Sequence, residues 1–187
     1  MTPVIRGNSL YATVDGPTWD QALLGSENLG GTLVVIENGE ENNFVTNAFK
    51  NDAGLFLNSV YGGDYAAWIG VTYDFDEGIY VNTLGQEQLY FNWNPTFQNQ
   101  VNSSYGDVNT TIILKSTSPY VRFEGAWDDS WENQSVPYYR NGIAEIPLSL
   151  SITTSSTPTE GAGVFTTSIN LSAGTETSGN LAEGAEV

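Results

Sequence analysis

Thr18-Trp19-Asp20-Gln21-Ala22, followed a few residues later by Leu29-Gly30-Gly31-Thr32-Leu33-Val34-Val35-Ile36, is the stretch whose reading decides the fold. Thr18 with Gln21 three residues on is a capping-box pattern that opens a helix. Trp19, Ala22, Leu23 and Leu29 are spaced to share one face of that helix, and Gly30-Gly31 stop it. Thr32–Ile36 is then an apolar, β-branched run that reads as a strand. Working outward, Leu10-Tyr11-Ala12-Thr13-Val14 predicts a strand before the helix. Asn38, with Glu41 three residues on, opens a second helix that carries Phe44, Val45, Ala48 and Phe49 on a single stripe.

Farther along, Ala66-Ala67-Trp68-Ile69-Gly70-Val71 reads as a short buried strand, and Thr111–Leu114 and Gly142–Ile146 as later ones. Between Tyr73 and Asn109 the abundance of Gly, Asn, Asp and Gln predicts long structured loops instead of regular elements. The order β-α-β-α, then strands and loops, is an α+β pattern without an internal repeat. Composition changes near Leu148: residues 149–187 contain no Trp, Tyr, Lys or Arg and are rich in Ser, Thr and Gly. This tail reads either as a flexible linker or as a β-module cut off before completion, because Leu148–Ile152 and Gly163–Ile169 alternate as strands do. The expected organisation is one domain over residues 9–148 and a tail over 149–187.

The chemistry excludes several function classes. The 22 acidic and 5 basic residues leave a formal net charge of −17, a field that repels nucleic-acid phosphates and anionic membrane surfaces. Without Cys or His, the chain has no disulfide framework, no thiol nucleophile, none of the common zinc sites and no Ser-His-Asp machinery. Paired carboxylates for glycoside hydrolysis need a separation of roughly 5–9.5 Å. Among 22 acidic residues some pair meets that spacing by chance, so it carries no catalytic signal, and the chain reads as a non-enzyme. Met1–Gly7 shows no basic region leading into an apolar run, and no segment approaches the roughly 20 apolar residues of a membrane span. Membrane insertion is not expected.

These residues, taken in order, resemble a known family. The series Tyr11, Thr18–Ala22, Leu29–Ile36, Glu40-Glu41-Asn42 and Phe44-Val45 resembles the opening of C-type-lectin-like domains. Trp68-Ile69-Gly70 is similar to the core strand of that family, Glu77-Gly78 to its acidic turn, Trp93 to its long-loop tryptophan, and Trp127-Asp128-Asp129 to its Trp-Asn-Asp signature. Gly142–Pro147 resembles the closing strand of disulfide-free bacterial members. The resemblance implies that the first and last strands pair and close the domain, and that Trp68 and Trp127 fill a core beneath long loops. The tail resembles, more loosely, the Ig-like or Calx-beta-like repeats of large bacterial surface proteins, particularly marine cyanobacterial ones.

In the sugar-binding members a calcium ion on the long loops bridges protein oxygens to sugar hydroxyls, and the resemblance transfers its ligands position by position. The Glu-Pro-Asn or Gln-Pro-Asp triplet falls on Phe97-Gln98-Asn99, so Asn99 alone retains its donor. The downstream acidic ligand falls near Asp107, and the signature pair on Asp128 and Asp129. Four oxygen donors with water suit a weak calcium site. The competing reading keeps Trp127-Asp128-Asp129 as a fold signature, its carboxylates solvated or bonded to loop amides. Asp74 and Glu77 are candidates for an auxiliary calcium site in the family, against the alternative of an acidic turn capped by Gly78. Tyr105, Trp131, Tyr138 and Tyr139 offer ring faces for stacking on sugars, with Trp131 equally placed to be loop core.

The resulting expectation is a carbohydrate-binding module of a larger extracellular or cell-surface protein, with calcium as its candidate cofactor and Asn99, Asp107, Asp128, Asp129 and Trp131 as its binding residues. The alternative is a calcium-independent protein-interaction or adhesion domain using the same loops, phage host recognition included.

Overall fold

The computed structural model of the protein describes residues 2–52, 55, 65–94, 108–115, 124–131, 141–154 and 167–173. Two α-helices and a mixed sheet make up the described fold, in the order β1 (Val4–Arg6), β2 (Ser9–Asp15), α1 (Trp19–Asn28), β3 (Thr32–Leu33), α2 (Gly39–Phe49), β4 (Tyr65–Asp74), β5 (Ile79–Asn82), β6 (Val108–Lys115), β7 (Trp127–Trp131), β8 (Asn141–Thr154) and β9 (Thr167–Ala173). The strand path is β1-β2-β8-β4-β6-β7, with β3 and β9 also on β8 and β5 on β4. The expected closure is present: β2 and β8 pair antiparallel from Leu10↔Ile146 to Val14↔Gly142. A single parallel bridge, Trp68↔Gly142, joins this pair to β4.

Strand β4 shows why the sheet needs cover on both faces. Its side chains alternate, and both sets are buried. Ala66 and Trp68 pack with Trp19, Ala22, Leu33 and Ile146 under α1. Ala67, Ile69 and Val71 pack with Val45, Phe49, Ile36 and Trp127 under α2. Trp68 and Trp127 are both fully buried, as expected. Each such ring removes roughly 150–250 Å² from water, which at about 25 cal/mol per Å² is worth some 4–6 kcal/mol before ordering costs. A chain without disulfides has that term to rely on.

Helix α1 begins as its sequence dictates: the Thr18 hydroxyl accepts the Gln21 N–H at 3.3 Å. Its apolar face differs from the expectation. Trp19, Ala22 and Ser26 are buried, whereas Leu29 is 47% exposed. Leu29 is the C-cap, where the chain leaves the helical path, so the inward slot falls to Ser26 at the i+7 position from Trp19. The Ser26 hydroxyl is satisfied there by donating to the Ala22 carbonyl at 2.9 Å. The stop is a Schellman turn: Gly31 N–H donates to Ser26 O and Gly30 N–H to Glu27 O, with Gly30 at φ 78°. Gly31 serves a different purpose, since a Cβ there would lie 2.2 Å from the Glu145 carbonyl oxygen of β8.

Helix α2 opens with the Asn38 side chain accepting the Glu41 N–H at 2.9 Å. Val45 and Phe49 are fully buried, and Phe44 and Ala48 flank them half-buried. The stripe predicted from spacing is therefore present, but Glu41, Asn42 and Thr46 are buried beside it.

The other strands differ from the expectation in extent. Thr32–Ile36 is a strand only over Thr32–Leu33. Beyond it Val34 donates to Ile143 O and accepts from Gly70 N–H, so the chain bonds to β8 and then to β4 instead of continuing one ladder. The stretch after Tyr73, read as loop, contains β5, a hairpin partner of β4 with Tyr73 opposite Tyr80. Asp74, Asp76 and Asn82 lie in its turn and at its end. Strand β1 was not anticipated; a tight turn at Gly7-Asn8 folds it onto β2, Arg6 opposite Ser9. Strand β8 continues past Leu148 and pairs with β9 from Leu148↔Ala173 to Thr154↔Thr167. Residues 163–166 of the predicted tail strand lie outside the described residues.

Candidate functional site

Trp127 ties the chain at Asn92–Asn94 to β7, the strand that pairs with β6. The Trp127 indole N–H donates to the buried Asn42 side chain at 2.7 Å, which ties β7 to α2. Its backbone N–H donates to Asn92 O at 2.8 Å, and its carbonyl accepts from Asn94 N–H at 2.9 Å. Trp93 is thereby bridged to Trp127 in parallel, with the two rings edge to face at 5.9 Å. The Gly125 carbonyl, two residues earlier, accepts from both Asn42 Nδ2 at 3.0 Å and Asn92 Nδ2 at 2.8 Å. On the return side β6 pairs with β7, so Val108 lies opposite Trp131, Thr111 opposite Asp129 and Ile112 opposite Asp128. The backbone of Asp128, Asp129 and Trp131 thus lies in β7, beside β6, the strand that follows Asp107 in the sequence.

Asp128 is half-buried, directly after the buried Trp127. Asn99 and Asp107 lie outside the described residues, as do Phe97, Gln98, Tyr105, Tyr138 and Tyr139. Asp74 and Glu77 sit in the β4–β5 turn. The Asp74 carboxylate accepts the backbone N–H groups of Asp76 at 2.8 Å and Glu77 at 3.1 Å, and Gly78, at φ 71°, donates to the Asp74 carbonyl. The acidic turn is organised by its own backbone in the manner of an Asx turn. Among the described residues no group of three or more Asp, Glu, His or Cys side chains is placed to hold a metal ion.

Sequence reasoning missed a concavity of about 420 Å³ at the junction of β2, β8 and the N-terminus of α2. Ser9, Thr32, Glu37, Glu41, Glu145 and Pro147 contribute to its wall. Glu41, 5% exposed, accepts from the Tyr11 hydroxyl at 2.8 Å, from Arg6 Nη1 at 3.2 Å and from the Glu37 N–H at 3.0 Å. The Glu145 carboxylate lies 3.2 Å from the same Tyr11 hydroxyl, which has one proton to give. Burial, and then the Glu41 charge, push the Glu145 carboxyl above the usual range, against hydrogen bonds from Ser9, Tyr11 and the Val35 amide. Burial, reinforced by the Glu41 hydrogen bond, likewise holds Tyr11 as the neutral phenol. Glu41 was legible as a capping residue; its meeting with Glu145 across the fold left no local signal.

The pairing of β2 with β8, the Trp68 strand at the centre and the Trp127 anchor on α2 together decide the architecture. The fold is that of C-type-lectin-like domains. Among solved structures, the cow C-type carbohydrate-recognition domain of CD23, crystallised with a GlcNAc2Man3 oligosaccharide, superposes with a TM-score of 0.55 at 24% identity, over 76% of this chain and 91% of that one. The C-type lectin CEL-I from Cucumaria echinata matches with a TM-score of 0.55 at 17% identity, over 76% and 93% of the two chains. SPL-2 from Saxidomus purpuratus, a Ca2+-independent C-type lectin, matches with a TM-score of 0.56 at 20% identity, over 77% and 90%. At these identities the likeness is one of fold. No protein-family model matches the sequence. No helix among the described residues is long and apolar enough to cross a membrane.

Proposed function

We propose that the protein is a non-enzymatic ligand-binding module, for glycans, of a larger extracellular or cell-surface protein. The observation that supports this reading is the clamp on Trp127, which ties β7, the strand whose sequence carries Asp128 and Asp129, to α2 and pairs it with β6. Oligosaccharide binding by a protein of the same fold, CD23, supports the substrate class.

Calcium is the proposed cofactor, held by Asn99, Asp107, Asp128 and Asp129. The donor set is all oxygen, as a hard cation requires, but falls short of 6–8 ligands, so water and sugar hydroxyls must complete it. Phe97 and Gln98 stand where the family has an acidic ligand and a proline, so the affinity expected is millimolar. The Asp74–Glu77 turn is a weaker candidate, because the Asp74 carboxylate is already engaged by backbone N–H groups. Trp131 is proposed as a stacking face for the sugar ring.

With a dissociation constant near 1 mM, about 10 mM calcium stabilises the fold by roughly 1.4 kcal/mol. That raises the melting temperature by about 3–6 °C for a domain of this size. The rise should vanish in Asp128→Ala/Asp129→Ala, while that variant still melts cooperatively. An unchanged melting temperature and unchanged tryptophan emission in the wild type at 10 mM calcium would remove the metal from the reading.

A second reading, a calcium-independent adhesion domain using the same loops, is favoured by Phe97 and Gln98, since both substitutions fall on sugar determinants. A glycan array without hits, with retained binding to a surface-protein partner, would select it. The tail after Leu148 is proposed as the start of a following β-module of the Ig-like or Calx-beta-like kind, and the domain as a disulfide-free bacterial member. The β8–β9 pairing supports the first of these.

A further inference from the structure

Aromatic rings leave the core in a continuous row at the β4–β5 hairpin. Tyr73 and Tyr80 face each other across the hairpin with ring centroids 4.9 Å apart. Tyr73 meets Phe75 at 5.0 Å, and Tyr80 meets Phe91 at 5.3 Å and Trp93 at 5.0 Å. Phe91 and Trp93 stack, at 5.6 Å and 16° between planes, and Trp93 leans on the buried Trp127. The inner end of the row is therefore core, but the outer end is in solvent: Phe75 is 51% exposed and Phe91 36%. Single exposed apolar side chains are ordinary on a protein surface; a contiguous row marks a contact surface.

Charge selects what it contacts. Phe75 is set between Asp74 and Asp76, with Glu77 next in the turn and the exposed Glu87 bridged to Val81 of β5. Arg6 and Lys50 are engaged elsewhere, with Glu41 and Glu124. A second copy of the chain is a poor occupant, because it would set one acidic turn against another between molecules that each carry −17. A guanidinium meets both features at once: its plane stacks on ring faces and its N–H fork bonds carboxylates. We propose that the Tyr73–Phe75–Tyr80–Phe91 ridge, with Asp76 and Glu77, is a docking surface for an arginine-bearing segment of a partner protein. The ridge residues are distinct from Asn99, Asp107, Asp128 and Asp129, and only Glu77 is shared with the weaker calcium candidate in the turn, so this proposal does not rest on the glycan reading.

The test is calorimetric titration of the full chain with acetylated hexa-arginine and with hexalysine at one ionic strength, followed also by tryptophan emission, to which Trp93, stacked on Phe91, contributes. Hexa-arginine should bind more tightly than hexalysine and shift the emission. Phe75→Ser combined with Asp76→Asn and Glu77→Gln should weaken it about tenfold, these side chains being solvent-exposed and dispensable for folding. Glu27→Gln with Glu40→Gln, two exposed carboxylates on the helices, should leave it within about twofold. Equal affinity for the two peptides, or equal weakening by the helix variant, would reduce the effect to bulk charge and overturn the proposal. So would binding of neutral chitotriose that is sensitive to Phe75→Ser, with no binding of hexa-arginine; that outcome assigns the ridge to sugar.

Discussion

Replacing Asn42 with alanine removes a side chain that ties α2 to Trp127 and to Gly125, just before β7, by two hydrogen bonds. The indole N–H of Trp127, fully buried, loses its acceptor at 2.7 Å. An orphaned buried donor costs about 1–3 kcal/mol. The Gly125 carbonyl loses Asn42 Nδ2 but keeps Asn92 Nδ2 at 2.8 Å, so this half of the change costs only about 0.5–1.5 kcal/mol. Together the loss is roughly 2–4 kcal/mol, which for a domain of this size lowers the melting temperature by about 4–16 °C. Urea denaturation followed by tryptophan emission measures the free energy directly, and an unchanged m-value would place the effect in the native state. Because Asp128 follows Trp127, the calcium response of the variant should weaken as well. A variant within about 0.5 kcal/mol of wild type would refute the reasoning, since it would mean that Trp127 finds another acceptor and that the clamp is not what places β7.

Three further substitutions probe other parts of the fold. Gly31→Ala should cost about 1–3 kcal/mol or more, because its Cβ would meet the Glu145 carbonyl at 2.2 Å and Ile146 Cα at 2.8 Å, both backbone. Gly39→Ala at the start of α2, where the nearest atom is the Tyr90 hydroxyl at 3.6 Å, should be neutral or stabilising; parallel thermal melts that rank the two equally would contradict this. Glu145→Gln should be more stable than wild type at pH 7, with the difference closing toward pH 4. The folded-state pKa of Glu145 is raised, so its favourable contribution is complete below the ordinary value of 4.5 and is lost as pH rises through the higher folded value. Melting temperatures of both proteins across that window check the sign, and a wild type that gains on the variant as pH rises would reverse it.

Much of the scaffold was legible because it is local or periodic. Thr18 with Gln21 and Asn38 with Glu41 announced both helix starts, and the Trp68-Ile69-Gly70 run announced the central strand. The misreadings have a common cause. Leu29 fits the helical period but falls where the helix ends, and Thr32–Ile36 has strand composition but divides its hydrogen bonds between two neighbours. The Tyr80 strand is hidden among turn residues, because a four-residue hairpin partner has too few positions for alternation to register. At the candidate site Asp128 and Asp129 were legible as a signature, whereas the Asn42–Trp127 bond that positions them was not.

What the sequence by itself determined is the set of surfaces that must be buried: the two helix faces, both sides of the central strand, and the two tryptophans that replace disulfides as the source of stability. Patterning along a chain states which side chains must leave water, and it does so without reference to any partner. Only the tertiary structure decided which ones meet. Glu41 and Glu145 share one tyrosine proton, Asn42 holds Trp127, and Phe75, Tyr73, Tyr80 and Phe91 line up across a hairpin because strand register brings distant residues within a few ångströms. Hydrogen bonds and pKa shifts arise at that range, and no local spacing encodes it.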